Sequence, residues 1–210
     1  MAEKFFITVG RQLGSGGRQI GEKLAKQLNI AFYDKELILI ASQKSGLGKE
    51  FFEKIDEKSG HSLFFGGSSP YGVYSNEIYA NYYLNNETLF KIQSDVIREL
   101  ADQHSCIFVG RCADYILKDQ PHCLNLFVTA NLNDRIKRVM ENEQLTENKA
   151  KALIEKTDKK RANYYNYFSD KVWGAASSYH LCINSSVLGI DETVNFICQF
   201  IKKQLELNVN

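Results

Sequence analysis

Several features are scarce in this chain of 210 residues, and each scarcity removes a class of function. Charge of one sign is lacking: 26 Lys and Arg against 25 Asp and Glu leave a formal net charge of +1. No basic field is available to track a nucleic-acid backbone. Apolar runs are short, and none approaches the roughly 18 residues of a membrane helix. The N-terminal MAEKFFITVG has neither the long apolar stretch nor the small-residue cleavage site of a secretion signal, so the cytoplasm is the expected location. The five cysteines, Cys106, Cys112, Cys123, Cys182 and Cys198, are odd in number and include no short-spaced pair. That argues against a disulfide framework and against a C-x-x-C zinc site. His61, His104 and His122 lack ligand-like spacing, and His180, just before an apolar run, reads as structural. No metal-ligand set emerges.

What is present is ordinary globular composition, 44% hydrophobic and 24% charged. The length suits one α/β domain with a small inserted subdomain. Short apolar runs read as strands at Phe5–Val9, Ile30–Tyr33, Cys106–Val109, Leu124–Val128 and Leu181–Ile183. Between them, apolar residues at helical spacing predict helices over Ile20–Leu28, Lys35–Gln43, Glu87–Gln103, Asn133–Glu143, Thr146–Tyr165 and Asp191–Leu205. Residues 44–86 differ, with glycines and aromatics alternating through short segments. They read as an insertion near the site, and the exposed aromatics of residues 64–83 leave a homodimer open. Strands alternating with helices predict a parallel, doubly wound sheet with helices on both faces, a three-layer αβα arrangement. Ligands in such sheets bind at the carboxyl ends of the strands, which points to Gly10 onward, to Asp34 and to Gly110-Arg111.

The first of these ends is Gly10-Arg11-Gln12-Leu13-Gly14-Ser15-Gly16-Gly17-Arg18-Gln19-Ile20-Gly21. Glycines let successive N–H groups turn inward around an anion, and the following helix adds its positive end. The expected phosphate-binding residues are Arg11, Leu13, Gly14, Ser15, Gly16, Gly17, Arg18 and Gln19. The strict patterns fail. G-x-G-x-x-G needs glycine at Gln19. In G-x-x-x-x-G-K-[ST], Arg11 falls on the first glycine, Gly17 on the lysine and Arg18 on the Ser/Thr. Arg18 and Arg11 are both candidates for the missing cation. The bland reading is a glycine-rich turn with no ligand. Arginines at a helix start oppose the dipole, however, and a bound anion resolves that conflict.

The segment ITVGRQLGSGGRQIGEKLAKQLNIAFYDKELI closely resembles the opening of the cytidylate-kinase-like family, relatives of cytidylate kinase that lack the Walker lysine. The similarity continues through CIFVGRCADYIL, RIKRVMENEQLTENKAKALIEKTDKKRANYYNYF and WGAASSYHLCINSSVLGI, leaving out roughly residues 45–85. The resemblance implies a five-stranded P-loop fold like that of nucleoside monophosphate kinases. Residues 35–86 would form a helical acceptor-binding insertion and roughly 141–165 a lid. It implies ATP with Mg²⁺ as donor and γ-phosphate transfer to a nucleoside monophosphate. Small-molecule nucleotides are then the partners, with no role for nucleic acid or membrane.

The resemblance also assigns residues. Arg111 matches the arginine that holds the acceptor phosphate, although its flanking aspartates are Val109 and Cys112 here. Arg135 and Arg138 fall where related kinases neutralise the transferring phosphoryl group. Asp158 and Arg161 match a D-x-x-R element that contacts acceptor sugar and phosphate. Asp34 begins the acceptor subdomain, and it is equally placed to cap the helix after it. Two acceptor-side arginines are replaced by Ile40 and Ile154. The expected catalytic set is therefore Arg18, Arg111, Arg135, Arg138 and Arg161, and the acceptor set Asp34, Arg111, Asp158 and Arg161. Each has a plainer reading: a surface arginine in a turn, a solvated basic face, an i,i+3 ion pair. Cys112 has no evident His or Asn partner for nucleophilic work, and Tyr164, Tyr165, Tyr167, Phe168 and Trp173 read first as packing. Two functions compete, a small-molecule kinase and a nucleotide sensor without turnover. The absent lysine and magnesium-side hydroxyl favour the sensor, and the arginines favour the kinase. A dehydrogenase is disfavoured by the missing third glycine.

Overall fold

The computed structural model of the chain describes residues 4–34 and 76–205, with the backbone alone for 76–85. The helix expected over Lys35–Gln43, Ile40 and the aromatic segment therefore lie outside the described residues. Two compact units are present: Met1–Lys35 together with Leu100–Asn210, and Glu36–Glu99. In the second, the described part is the beginning of helix α2 (Asn76–Gln103), with Ile92, Gln93, Val96 and Ile97 buried.

The first unit is built on a five-stranded parallel sheet of order β2-β3-β1-β4-β5. The strands are β1 (Phe6–Arg11), β2 (Ala31–Tyr33), β3 (Cys106–Val109), β4 (Cys123–Thr129) and β5 (Leu181–Asn184). Central strands of a parallel sheet are covered on both faces and become continuously apolar; β3, CIFV, is buried throughout. The edge strands β2 and β5, of three and four residues, are only partly buried. Strand β1 pairs with β3 from Phe6↔Cys106 to Val9↔Val109 and with β4 from Phe6↔Cys123 to Arg11↔Val128. The chain runs from β1 past β3 to β2, returns to β3, then crosses β1 to β4. The order thus reverses around β1, and the crevice opens at its carboxyl end.

Helices α1 (Gly17–Leu28) and α6 (Ser185–Gln204) share one face of the sheet. Ile20, Leu24, Val194, Ile197 and Ile201 meet Ile7, Val9, Ile107, Leu126 and Val128 there. Helix α1 ends where Asn29 turns left-handed, φ 53°, its N–H closing onto Ala25 and Lys26. On the other face Phe127 packs edge-on against Trp173, with centroids 5.2 Å apart, and tilts against Tyr179 at 4.8 Å. Helix α3 (Ala113–Ile116) is a single turn after β3. Helices α4 (Leu132–Glu143) and α5 (Glu147–Ser169) join through a small core of Ile136, Val139, Ala150 and Ile154 that also covers Leu13. No helix among the described residues is long and apolar enough to cross a membrane.

Element boundaries depart from the sequence reading at several points. Helix α2 runs from Asn76, ahead of the Glu87 that the spacing predicts, α1 from Gly17, ahead of Ile20, and β1 continues to Arg11. Helix α5 runs on to Ser169. The turn α3 was not anticipated. Helix α6 starts at Ser185, not Asp191, because Asn184 caps a first turn (its Oδ1 accepts the Ser186 N–H at 2.9 Å) before Gly189 breaks the helix at φ 75°.

Candidate functional site: the glycine loop and its carbonyl anchors

The loop between β1 and α1 has an asymmetric hydrogen-bond pattern. Every carbonyl from Arg11 to Gly16 is occupied. Arg161 Nη1 donates to the Arg11 carbonyl at 3.1 Å, and Ser15 Oγ to that of Gln12 at 2.8 Å. Arg135 Nε donates to Leu13 at 2.7 Å and Arg138 Nη1 to Gly14 at 3.0 Å. Ser185 Oγ donates to Ser15 at 2.7 Å, and the Ile20 N–H to Gly16 at 2.9 Å. The N–H groups behave differently. Those of Gln12, Leu13, Ser15 and Gly17 are bonded, to Val128 O, Asp158 Oδ1, Gln12 O and Ser15 Oγ. Those of Gly14, Gly16, Arg18 and Gln19 have no acceptor among the described residues. Helix α1 adds its own first turn, which holds no acidic residue and no side-chain cap. The result is a patch of unspent donors at a positive helix end, which is the composition of an anion site.

Glycine is obligatory at one point of this loop. Gly14 has φ 76°, and a Cβ there would lie 2.6 Å from the Arg135 carbonyl oxygen, a backbone atom that cannot step aside. The loop is thereby pressed onto the start of α4.

Arg135 is only 6% exposed. Besides holding Leu13 it forms an ion pair with Asp158, whose other oxygen takes the Leu13 N–H at 2.8 Å. Arg135, Asp158 and Leu13 thus close a small ring of charge-assisted bonds. Arg138 also approaches Ser185 Oγ at 3.5 Å. Burial pushes the Arg161 guanidinium down from its ordinary pKa; Asp158 opposes this, while Arg111 and Arg135 add to it. So Arg111 and Arg135 each stand close enough to Arg161 to repel its charge.

Arg111 follows β3 in a turn of three consecutive left-handed residues: Gly110 at φ 81°, Arg111 at 60° and Cys112 at 53°. Its guanidinium lies over the Tyr164 ring, 5.5 Å from the centroid. The Arg11 side chain reaches across to this turn, where a Cβ on Gly110 would fall 2.0 Å from Arg11 Nη1. Arg11 therefore spans the ends of β1 and β3. Arg18, on the first turn of α1, has its Nε 2.7 Å from the buried Asp34 and its guanidinium 5.8 Å from the Phe32 ring centroid.

The expected residues thus fall into two groups. Arg11, Leu13, Gly14, Ser15, Gly16, Gly17, Arg135, Arg138, Asp158 and Arg161 converge on the loop, with Arg111 beside them. Arg18 and Asp34 pair at the end of β2, and Gln19 is exposed with its N–H unspent. Arg135 and Arg138, expected over a phosphoryl group, are found on the loop's own carbonyls. Sequence reasoning missed Ser185, fully buried and bonded to Ser15; its signal was Asn184-Ser185-Ser186 after an apolar run, a helix start. Tyr164, which reads as packing in the aromatic cluster, lies beneath Arg111, a contact the sequence does not show. Cys112 is 3% exposed and burial pushes its thiol up to about 12, which leaves it inert at neutral pH. His180 clasps β4 at two points, its N–H on the Asn125 carbonyl at 2.8 Å and its Nδ1 accepting the Asn125 N–H at 3.0 Å.

The acids around the loop do not suit a divalent cation. Mg²⁺ takes oxygen ligands, usually carboxylates with waters and substrate phosphates. Asp34 holds Arg18, Asp158 holds Arg135 and Leu13, and Glu22 holds Lys26 at 3.0 Å. Among the described residues no three His, Cys, Asp or Glu side chains cluster as a metal site would.

The model of the cytidylate kinase-like family matches residues 6–187. The chain belongs to that family. A cytidylate kinase from Staphylothermus marinus is 36% identical over 87 residues, spanning 40% of this chain and 47% of that protein, so the match covers about half the length of the curated relative. Among solved structures, an uncharacterized protein from Eubacterium ventriosum superposes with a TM-score of 0.71 at 26% identity, over 95% of this chain and 99% of that one. A shikimate kinase from Bacteroides thetaiotaomicron gives 0.51 at 13% identity, over 97% and 99%. That second likeness concerns the fold alone. Family and fold are kinase-like and nucleotide-binding.

Proposed function

We propose that this cytidylate kinase-like protein is a phosphotransferase whose glycine loop holds the polyphosphate of ATP while Arg111 and Arg161 hold the phosphate of a small acceptor. The observation that carries this reading is the division of labour in the loop. All carbonyls from Arg11 to Gly16 are capped from behind, while the N–H groups of Gly14, Gly16, Arg18 and Gln19 are unspent. Such donors are fixed before ligand arrives, which is how electrostatic preorganisation lowers a phosphoryl-transfer barrier. Beside the loop the Asn131 N–H donates to Ser186 Oγ at 2.9 Å, and Leu132, Val187 and Leu188 are exposed around that contact. These carbon faces suit the flat side of a nucleobase.

The acceptor is a phosphate monoester other than CMP. Where the resemblance puts acceptor-reading groups in cytidylate kinase, this chain has Val109 and Cys112, both buried, and Ile154, part of the α4–α5 core. A site that loses paired polar contacts loses discrimination by large factors. The phosphate-facing Arg111 and Arg161 remain.

A second reading, a nucleotide sensor without turnover, is favoured by one observation: Arg135 and Arg138 spend their donors on loop carbonyls and not on a space a phosphoryl group would cross. A thermal-shift panel of nucleoside mono-, di- and triphosphates, followed by an ADP-release assay with CMP, dCMP, UMP and AMP, separates the two. Ligand-dependent stabilisation with release of ADP on one acceptor is the expected result. Stabilisation without release under any acceptor supports the sensor, and no stabilisation by any triphosphate contradicts both.

A further inference from the structure

We propose that the loop takes its polyphosphate as the metal-free anion, with the Arg18 guanidinium, steadied by Asp34, supplying the positive charge that a divalent cation supplies at other phosphate loops. The proposal rests on the loop being a triphosphate site and goes beyond it. The supporting geometry is local. Residue 18 stands where the phosphate-loop pattern has its metal-side hydroxyl, and it is an arginine on the first turn of α1. The remaining hydroxyl, Ser15 Oγ, gives its hydrogen to the Gln12 carbonyl and takes the Gly17 N–H at 3.4 Å. Asp34 is 2% exposed and tied to Arg18 Nε, and Asp158 has both oxygens engaged. The carboxylates at hand are therefore neutralised by arginine or by a loop amide before any metal arrives.

A dication placed beside Arg18 would meet its guanidinium, and like charges a few ångströms apart repel. An arginine suits the alternative. Its guanidinium carries several N–H donors in a planar fork that matches phosphate. Here Nε is anchored, Nη1 is 3.7 Å from Glu22, and the side chain remains 61% exposed. The anchored Nε holds the side chain while most of it stays open to solvent. Exposure on this scale makes the Arg18–Asp34 pair weak as a stability device, whereas as a holder for a phosphate-directed fork it has a use.

Isothermal titration of the full chain with ATP, once in EDTA and once with excess Mg²⁺ at matched ionic strength, tests this without reference to turnover. The expected result is binding in EDTA at least about tenfold tighter than with Mg²⁺, the scale of one charge-assisted hydrogen bond. Arg18→Ser, which restores a hydroxyl and removes the cation, should weaken metal-free ATP and abolish the penalty of Mg²⁺. Because that variant also removes the Arg18–Asp34 contact, Arg18→Lys is measured beside it; keeping the charge but not the fork, it should bind ATP more weakly and still prefer the metal-free form. Tighter binding by the parent with Mg²⁺ overturns the proposal and leaves the triphosphate site standing. No binding of ATP in either condition overturns both.

Discussion

Two turns at the same edge of the sheet use left-handed backbone in opposite ways. After β1 it falls on glycines, Gly14 and Gly16 at φ 76° and 78°, where it costs little. After β3 it falls on Gly110, then on Arg111 and Cys112, where a Cβ makes it costly. The first turn is relaxed in itself and held by others: Arg135, Arg138, Arg161 and Ser185 grip its carbonyls from α4, α5 and α6. The second stores strain that aims one arginine over Tyr164. One turn presents backbone donors and the other a side chain. The scaffold supports the first, and the second draws on the stability of the whole fold.

Breaking the grip on the loop should have the largest effect. Arg135→Ala removes the partner of Asp158 and the donor to Leu13, both in a poorly solvated place. Loss of one partner of such a pair costs about 3–5 kcal/mol, to be read in urea unfolding, and triphosphate binding should fall with it. Gly14→Ala comes next, since the left-handed conformation alone costs about 1–2 kcal/mol and the added Cβ meets the Arg135 carbonyl at 2.6 Å. Ser185→Ala leaves the Ser15 carbonyl buried without its donor and should cost about 1–3 kcal/mol. Arg111→Gly sharpens the contrast from the other side. Relief of the left-handed strain and the added freedom of the unfolded glycine nearly offset each other, so stability should stay level or rise by up to about 1 kcal/mol, while affinity for a phosphate monoester drops. A clear loss of stability in that variant would show that the β3 turn is not strained.

The sequence made one turn much more legible than the other. The glycine loop announced itself because its conformation is written in residue type, and β3 was read at its observed bounds because a strand buried on both faces is apolar throughout. The turn at Arg111 could be located but not its three left-handed residues, since Arg and Cys carry no mark of positive φ. The anchors were out of reach for another reason. Arg135 touches Leu13 across 122 residues and Arg161 touches Arg11 across 150, and helical spacing tells which arginines share a face but not what that face meets. Their expected role over a phosphoryl group came from resemblance, whereas their observed bonds are to the loop itself. Helix α6 was begun late because Gly189 interrupts the periodicity that would have carried the reading back to Ser185.

The central claim is that the loop's carbonyls are committed to the scaffold so that a chosen set of its N–H groups is free for an anion. The most direct test is residue-resolved amide NMR of the ¹⁵N-labelled chain titrated with ATP. The account predicts that the N–H signals of Gly14, Gly16, Arg18 and Gln19 shift downfield and become protected from exchange. Those of Gln12, Leu13 and Ser15, already bonded, should move little. A titration in which all these amides shift alike, or in which Leu13 and Ser15 move while Gly14 and Gly16 do not, would contradict it.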